Sequence, residues 1–313
     1  MLEKTNVAYM SEFPDWEVPN FDMNEYNSRF INANVIINAK TTQCSYPPHW
    51  GPLSLKSSFQ GEEYYRKGNS FYLVDPSNYL IFNEAKSCSS YIDSKVEVNS
   101  FTINFSPSFE KSILQVLFSN PQKLLDEPFY VEDGPRIRFM EKLYQHNNSV
   151  SPLIAQLKAF FEHKRESEQR INELLIFLLE NMVLSQHHIH REIRSLASIK
   201  SSTKIELYKR LIRAKDFIYS SYSSNLTLEE ISNVACLNQH YFLRQFRNTF
   251  NITPFQYLTQ RRLEVASGLL KSTQMDITQI CSEIGYSDLA SFSRLFKRNF
   301  GSSPLIYKKS LLN

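Results

Sequence analysis

Phe242-Leu243-Arg244-Gln245-Phe246 and Phe292-Ser293-Arg294-Leu295-Phe296 are two copies of one pattern, offset by 50 positions. The register runs on downstream: Phe250 matches Phe300, Pro254 matches Pro304, and Tyr257 matches Tyr307. Upstream the offset drops to 49, pairing Leu228 with Ile277, Ile231 with Ile280, and Cys236 with Gly285. The second copy therefore carries one extra residue in its turn. A repeat of this kind marks a supersecondary unit used twice.

Each copy spells helix, short turn, helix. Thr227 with Glu230, and Asp276 with Gln279, have the spacing of a capping box ahead of an apolar run. The turns hold Cys236-Leu237-Asn238 in one copy and Gly285-Tyr286-Ser287-Asp288 in the other. Asn238, and Ser287 or Asp288, are suitable N-caps for the second helix. Thr253-Pro254-Phe255-Gln256 caps a further helix, with Pro at its first position, running to about Leu270.

The second helix of each copy has two faces. Phe242, Phe246 and Phe250 fall on one side at helical spacing and suit a core. His240, Leu243, Arg244 and Arg247 form the other stripe. Ala290, Ser293, Arg294 and Lys297 repeat it. Short, polar and basic side chains on an exposed helix suit a DNA major groove: Arg can bond bidentately to guanine, and Ala or Leu can meet a thymine methyl. Arg247, Lys297, Arg298 and the helix N-termini suit phosphates. A plain helical bundle with a solvated stripe would account for one such face. Two copies with matched turns and caps argue against it.

At these residues the chain resembles the AraC/XylS family of bacterial transcription regulators, over roughly residues 204 to 310. The residues that carry the resemblance are Ile280-Cys281-Ser282-Glu283-Ile284-Gly285-Tyr286-Ser287-Asp288, then Phe292 to Lys297, then Gly301-Ser302-Ser303-Pro304 and Tyr307. The resemblance implies a helix joining the two copies, here about Pro254–Leu270. It implies that both recognition helices enter successive major grooves, about one helical turn or ~34 Å apart. Carried over by position, the base-reading residues are Gln239, His240, Leu243 and Arg244 in the first copy. In the second they are Leu289, Ala290, Ser291, Ser293 and Arg294. Cys236 departs from the family, which has Gly in that turn, and a non-Gly residue there costs strain if φ is positive. Leu243 is apolar at a reading position.

The rest of the chain is read against this domain. Its 313 residues, 42% hydrophobic and 21% charged, suit two globular domains. The net charge of +3 is unevenly spread. From Lys204 onward there are fifteen basic against eight acidic residues, while residues 1 to 203 hold twenty against twenty-four. The basic end favours a polyanionic partner.

Between Leu53 and Phe105 the runs Leu53–Phe59, Phe71–Val74, Tyr79–Phe82, Ser89–Ile92 and Val96–Phe105 are rich in β-branched and aromatic residues. Gly, Asn, Asp and Pro separate them. This spacing predicts an antiparallel sandwich or small barrel. Residues 1 to about 50 read as loops with a strand or two. Helical spacing follows at Ser108–Ser119, at Pro135–His146, from Ser151-Pro152, and from Glu166 to about Ile189. Ser198–Thr203 reads as the linker.

The expected fold class is α+β in two domains: a cupin-like β-barrel with following helices, then an all-α tandem helix-turn-helix domain. Residues 1–200 would form a sensor or dimerisation domain, with the barrel at about 30–106 and helices at about 108–195. Residues 204–313 would bind DNA through units at about 226–250 and 276–300. The family layout implies a homodimer, a small-molecule effector, double-stranded promoter DNA, activation, and RNA polymerase as a further partner. The helix with Ile171, Leu175, Leu178 and Met182 is read as a dimer seam or as packed on the barrel, with the seam preferred.

Other candidates read as ordinary structure. His187-His188-Ile189-His190 suits a solvated helix end better than a metal site, since no carboxylate or thiol stands at regular spacing. Residues 53 to 105 contain no His, which disfavours a metal-dependent cupin enzyme, so no catalytic residue, metal or cofactor is assigned. The alternative is a cupin-type enzyme or a cysteine-dependent repair regulator, motivated by Cys44 beside His49. Cys44, Cys88, Cys236 and Cys281 form no CxxC pair and read as free thiols. Tyr46, Trp50, Tyr72 and Phe82 read as core rather than pocket, and Arg66-Lys67 with Glu62-Glu63 as a solvated hairpin end. Met1–Met10 does not resemble a signal peptide, and Leu174–Leu179 is too short to span a bilayer, so a cytoplasmic protein is expected.

Overall fold

A computed structural model describes residues 6–16, 21–118, 138–163, 167–195 and 201–310. The chain divides into two compact units, Met1–Ser201 and Ser202–Asn313.

Among the described residues the first unit has eight strands: β1 (Val7–Met10), β2 (Asn34–Gly51), β3 (Ser54–Gln60), β4 (Glu63–Lys67), β5 (Ser70–Val74), β6 (Asn78–Phe82), β7 (Ala85–Asn104) and β8 (Leu143–Gln145). They pair in the order β1-β2-β7-β3-β6-β8, with β4 bridging β7 and β5. The long strands β2 and β7 run antiparallel from Val35 opposite Asn104 to Gly51 opposite Ala85. Their register shifts between Thr41 and Gln43 and again on either side of His49. Such bulges bend a strand pair. The bend lets β7 carry β3 along its C-terminal half and β4 along its N-terminal half.

Two expectations are corrected here. The sheet is mixed, because β1 runs parallel to β2. It is also open: no pairing joins β8 or β5 back to β1 among the described residues. The runs Ser89–Ile92 and Val96–Phe105 are one strand, β7, up to Asn104.

A helix, α1 (Met23–Asn32), sits where loops were expected. Asp22 caps it by accepting from the backbone of Asn24 and Glu25, and Tyr26 and Phe30, four apart, are buried. Asp22 followed at three residues by Glu25 was a readable start signal. Three more helices follow the strands: α2 (Pro107–Phe118), α3 (Ser151–His163) and α4 (Glu168–Ser195). The helix expected at Pro135–His146 is replaced, in its described part, by β8, which pairs with β6. Backbone pairing to an existing strand outweighed a weak local period.

Ile171, Leu174, Leu175, Leu178, Leu179 and Met182 of α4 are all buried within the chain itself. That corrects the preference for a dimer seam at this stripe, because its apolar surface is already covered by α2 and α3. Gln186 ties α4 to the strand region, accepting from the Met140 amide at 2.8 Å and donating to the Tyr144 hydroxyl at 2.7 Å.

The second unit is helical throughout: α5 (Ser201–Ser220), α6 (Leu228–Val234), α7 (Gln239–Phe250), α8 (Pro254–Ser272), α9 (Ile277–Glu283), α10 (Leu289–Phe300) and α11 (Pro304–Ser310). The described end of the expected linker, residues 201–203, is the first turn of α5, and residues 198–200 lie outside the described residues. Phe242, Phe246, Phe292 and Phe296 are fully buried, as their spacing required. Around the second pair gather Leu263, Ala266, Leu270, Ile280, Cys281 and Ile284.

Candidate nucleic-acid interface

The two helix-turn-helix units are α6–α7 and α9–α10. Thr227 and Glu230 form a reciprocal capping box, as do Thr253 with Gln256 and Asp276 with Gln279. Each box satisfies two backbone donors that a helix start leaves open.

The two turns begin in the same way, and the second then carries the extra residue Ser287 before its cap. Cys236 donates its amide to Asn233 at 2.9 Å and Leu237 to Ser232 at 3.1 Å. Gly285 donates to Ser282 at 3.0 Å and Tyr286 to Cys281 at 2.9 Å. This crossed pair of bonds is the Schellman arrangement, which needs a left-handed residue after the helix. Cys236 has φ 52° and Gly285 φ 78°. The strain foreseen for Cys236 is therefore present. Gly285 is doubly required: a Cβ there would lie 2.2 Å from the Ser223 carbonyl oxygen.

The second helices are placed by their caps. Asn238 accepts from the His240 amide at 3.0 Å, and Asp288 accepts from Ala290 at 3.1 Å and Ser291 at 2.9 Å. The Ser291 hydroxyl and these amides hold the Asp288 carboxyl below the usual carboxylate range. Both helices end in left-handed residues, Asn251 and Gly301.

With the phenylalanines buried, the opposite stripe of each helix is open. Gln239, His240, Arg244 and Arg247 are exposed on α7, with Leu243 half-buried. Leu289, Ala290, Arg294, Lys297 and Arg298 are exposed on α10, with Ser291 and Ser293 half-buried. Arg294 donates to the Ser291 hydroxyl at 3.2 Å, and Arg244 lies 5.6 Å from the Tyr241 ring centre. Neither guanidinium is buried, so each can reach a partner from outside.

Two other arginines do internal duty that the sequence did not reveal. Arg261 is buried, its guanidinium 3.8 Å from the Tyr219 ring centre. Arg262 donates to the carbonyls of Tyr222 and Ser224, both at 2.8 Å, and lies 5.0 Å from the Tyr286 ring centre. Together they clamp α8 to the segment before α6 and to the second turn. An adjacent Arg-Arg pair in a basic domain carries no sequence signal that separates this from a phosphate contact.

The candidates of the first unit fall differently. Cys44 is half-buried, and burial pushes its thiol up to about 11. His49 accompanies Cys88 rather than Cys44, at 3.9 Å, and burial lowers its imidazole. Tyr46 and Phe82 are buried in the core, as read, and together with half-buried Trp50 they also line a cavity. Tyr72 is core, edge-on to Phe82 at 5.5 Å. The solvated hairpin end holds for exposed Arg66 but not for Glu63 and Lys67. Glu63 is buried, and Lys67 is largely covered and paired with Glu141. His188 is exposed, while the side chains of His187 and His190 lie outside the described residues. No group of metal-binding side chains stands together among the described residues, and no helix there is long and apolar enough to cross a membrane.

Two capped helix-turn-helix units of matching element order, joined by one helix, define a DNA-binding domain. A family model described as a helix-turn-helix domain matches residues 231–310. The Msm operon regulatory protein of Streptococcus mutans is 27% identical over 173 residues, which is 55% of this chain and 61% of that protein. The HTH-type transcriptional regulator AlkR of Acinetobacter baylyi is 32% identical over 121 residues, 39% of this chain and 40% of that one. The C-terminal domain of AraT, a response regulator from Geobacillus stearothermophilus, is 31% identical, covering 33% of this chain and 87% of that structure, with a TM-score of 0.32. The match thus spans less than two thirds of these curated relatives. Residues 231–310 thus belong to a helix-turn-helix domain family, and this part of the chain is similar to the corresponding part of these transcription regulators.

Proposed function

We propose that this protein binds promoter DNA sequence-specifically and regulates transcription there, as an activator in contact with RNA polymerase. The observation that carries the reading is the repeated geometry: α7 and α10 present equivalent open stripes from equivalent capped turns. Gln239, His240, Leu243 and Arg244 read one half-site, and Leu289, Ala290, Ser291, Ser293 and Arg294 the other. Arg247, Lys297 and Arg298 hold phosphates. Leu243, half-buried and apolar, offers contact to a thymine methyl rather than a hydrogen bond.

Residues 204–313 are the DNA-binding domain on this reading, and residues 1–200 the sensor and dimerisation domain of a cytoplasmic homodimer. The protein acts without catalysis or cofactor. Burial raises the thiols of both Cys44 and Cys88, which suppresses the thiolate that cysteine-dependent chemistry needs.

Fluorescence anisotropy with a bound promoter fragment and a random duplex tests base reading. Arg294→Ala is expected to weaken the specific duplex by about 1–3 kcal/mol, roughly 5- to 150-fold, and the random duplex far less. Equal losses on both duplexes would remove Arg294 from the base-reading set.

A further inference from the structure

The bent sheet of the first unit encloses a cavity with an aromatic wall of Phe13, Tyr26, Tyr46, Trp50, Tyr65 and Phe82. Its volume open to the centre of a water-sized sphere is ≈ 40 Å³. It therefore has room for a molecule of few heavy atoms. Beside His49 and Cys88, the lining holds two side chains that are ordinarily charged at neutral pH: Lys56 from β3 and Glu63 from β4.

Their environment is unusual. Glu63 is 2% exposed, and its Oε2 has no hydrogen-bond partner. Lys56 is half-buried; its ammonium donates to Asn104 Oδ1 at 3.5 Å and lies 5.8 Å from the Tyr65 ring centre. Each feels the charge of the other, yet among the described residues neither forms an ion pair. Removing an ammonium and a carboxylate from water without pairing them is strongly unfavourable. Burial accordingly pulls Lys56 down and Glu63 up, each toward its neutral form.

The chemistry of the missing partner follows. A lone anion would answer Lys56 and be repelled by Glu63. A lone cation would do the reverse. A polyol would supply hydrogen bonds to the neutral forms but offers a counter-charge to neither group. A molecule with a carboxylate and an ammonium close together compensates both. We propose that this cavity binds a small zwitterion of the α-amino acid class, with its carboxylate on Lys56, its ammonium on Glu63, and its side chain against the aromatic wall. The proposal rests on reading the first unit as an effector domain and names the effector's class.

Calorimetric titration and thermal shift of the full chain test it. The probes are the standard amino acids, the amine lacking each one's carboxylate, the acid lacking each one's amine, and a set of monosaccharides. At least one amino acid is expected to give saturable stabilisation, with both singly charged analogues at least about tenfold weaker. Lys56→Met and Glu63→Gln should each weaken binding about tenfold or more with the circular dichroism spectrum retained. If either variant fails to fold, the analogue series on the unmodified protein decides alone. The proposal is overturned if no amino acid binds, or if a singly charged analogue or a monosaccharide binds as tightly as the zwitterion. A monosaccharide that binds and is lost in Lys56→Met would sink the ligand class and leave the effector domain standing. Absence of binding by every probe class, with DNA binding intact, would count against both.

Discussion

Cys236 and Gly285 occupy the same place in their turns, and only one of them suits it. A side chain in the left-handed region costs about 1–2 kcal/mol, which glycine avoids. Cys236→Gly removes that strain and adds unfolded-chain entropy, so a net gain of about 0.5–1 kcal/mol is expected. Urea unfolding of the full chain measures it, and a loss of stability would show that the Cys236 side chain has packing worth more than its strain. Gly285→Ala is expected to do the opposite and more severely, because the new Cβ would meet the Ser223 carbonyl as well as the strained φ. A change of about 2 kcal/mol or more in the same measurement is the outcome expected for a residue with both defects. The strain at Cys236 was foreseeable from its alignment with Gly285. The clash at Gly285 was not, since Ser223 lies 62 residues away in the chain.

At the scale of elements, α3 meets the sheet through Phe161, packed on Tyr9 and Phe101, and through one long polar side chain. Lys158 is 5% exposed and donates to Asn38 at 2.9 Å and Asn99 at 3.0 Å, joining α3 to both β2 and β7. Its ammonium also pairs with Glu162 at 3.0 Å and lies 4.8 Å from the Phe59 ring centre. Lys158→Met keeps the stem but strands the amide oxygens of buried Asn99 and half-buried Asn38, so a loss of about 1–3 kcal/mol is expected. A shift of the chemical-denaturation midpoint smaller than about 0.5 kcal/mol would mean that water replaces the ammonium. Nothing in the local pattern of α3 announced this lysine, which sits at an ordinary helical position. The same limit explains β8 and β4. Leu143–Gln145 and Glu63–Lys67 are too short for a period to be read, and both are strands because a neighbouring strand was available to pair with them.

At the scale of the whole chain, charge is segregated between the two units, but not all of it is available. Arg261 and Arg262 belong to the interior clamp of α8, which leaves the basic residues of α7 and α10, with exposed Lys209, Lys271 and Lys309, as open positive surface. Phosphate contacts release counterions, so affinity should fall linearly on a log–log plot against salt. Lys297→Gln and Arg298→Gln are each expected to lower that slope by about 1 and to weaken specific and random duplexes alike. Arg261→Gln is expected to leave the slope unchanged while lowering stability. A slope change in Arg261→Gln equal to that in Lys297→Gln would contradict its placement in the interior.

Local chemistry determined the DNA-binding unit almost completely. Its repeat, its capping boxes, its buried phenylalanines and its two open stripes depend on contacts within a few turns of helix, and such contacts leave a period in the sequence. Local chemistry also separated the strand-rich part from the helical parts. Tertiary structure alone decided three things: that the sheet bends and stays open, that Arg261 and Arg262 turn inward, and that Lys56 and Glu63 face one cavity. Each depends on residues distant in sequence meeting across a fold, where pairing partners and desolvation rather than local spacing set the outcome. The tandem motif was therefore legible from its own residues, and the cavity beneath the sheet was not.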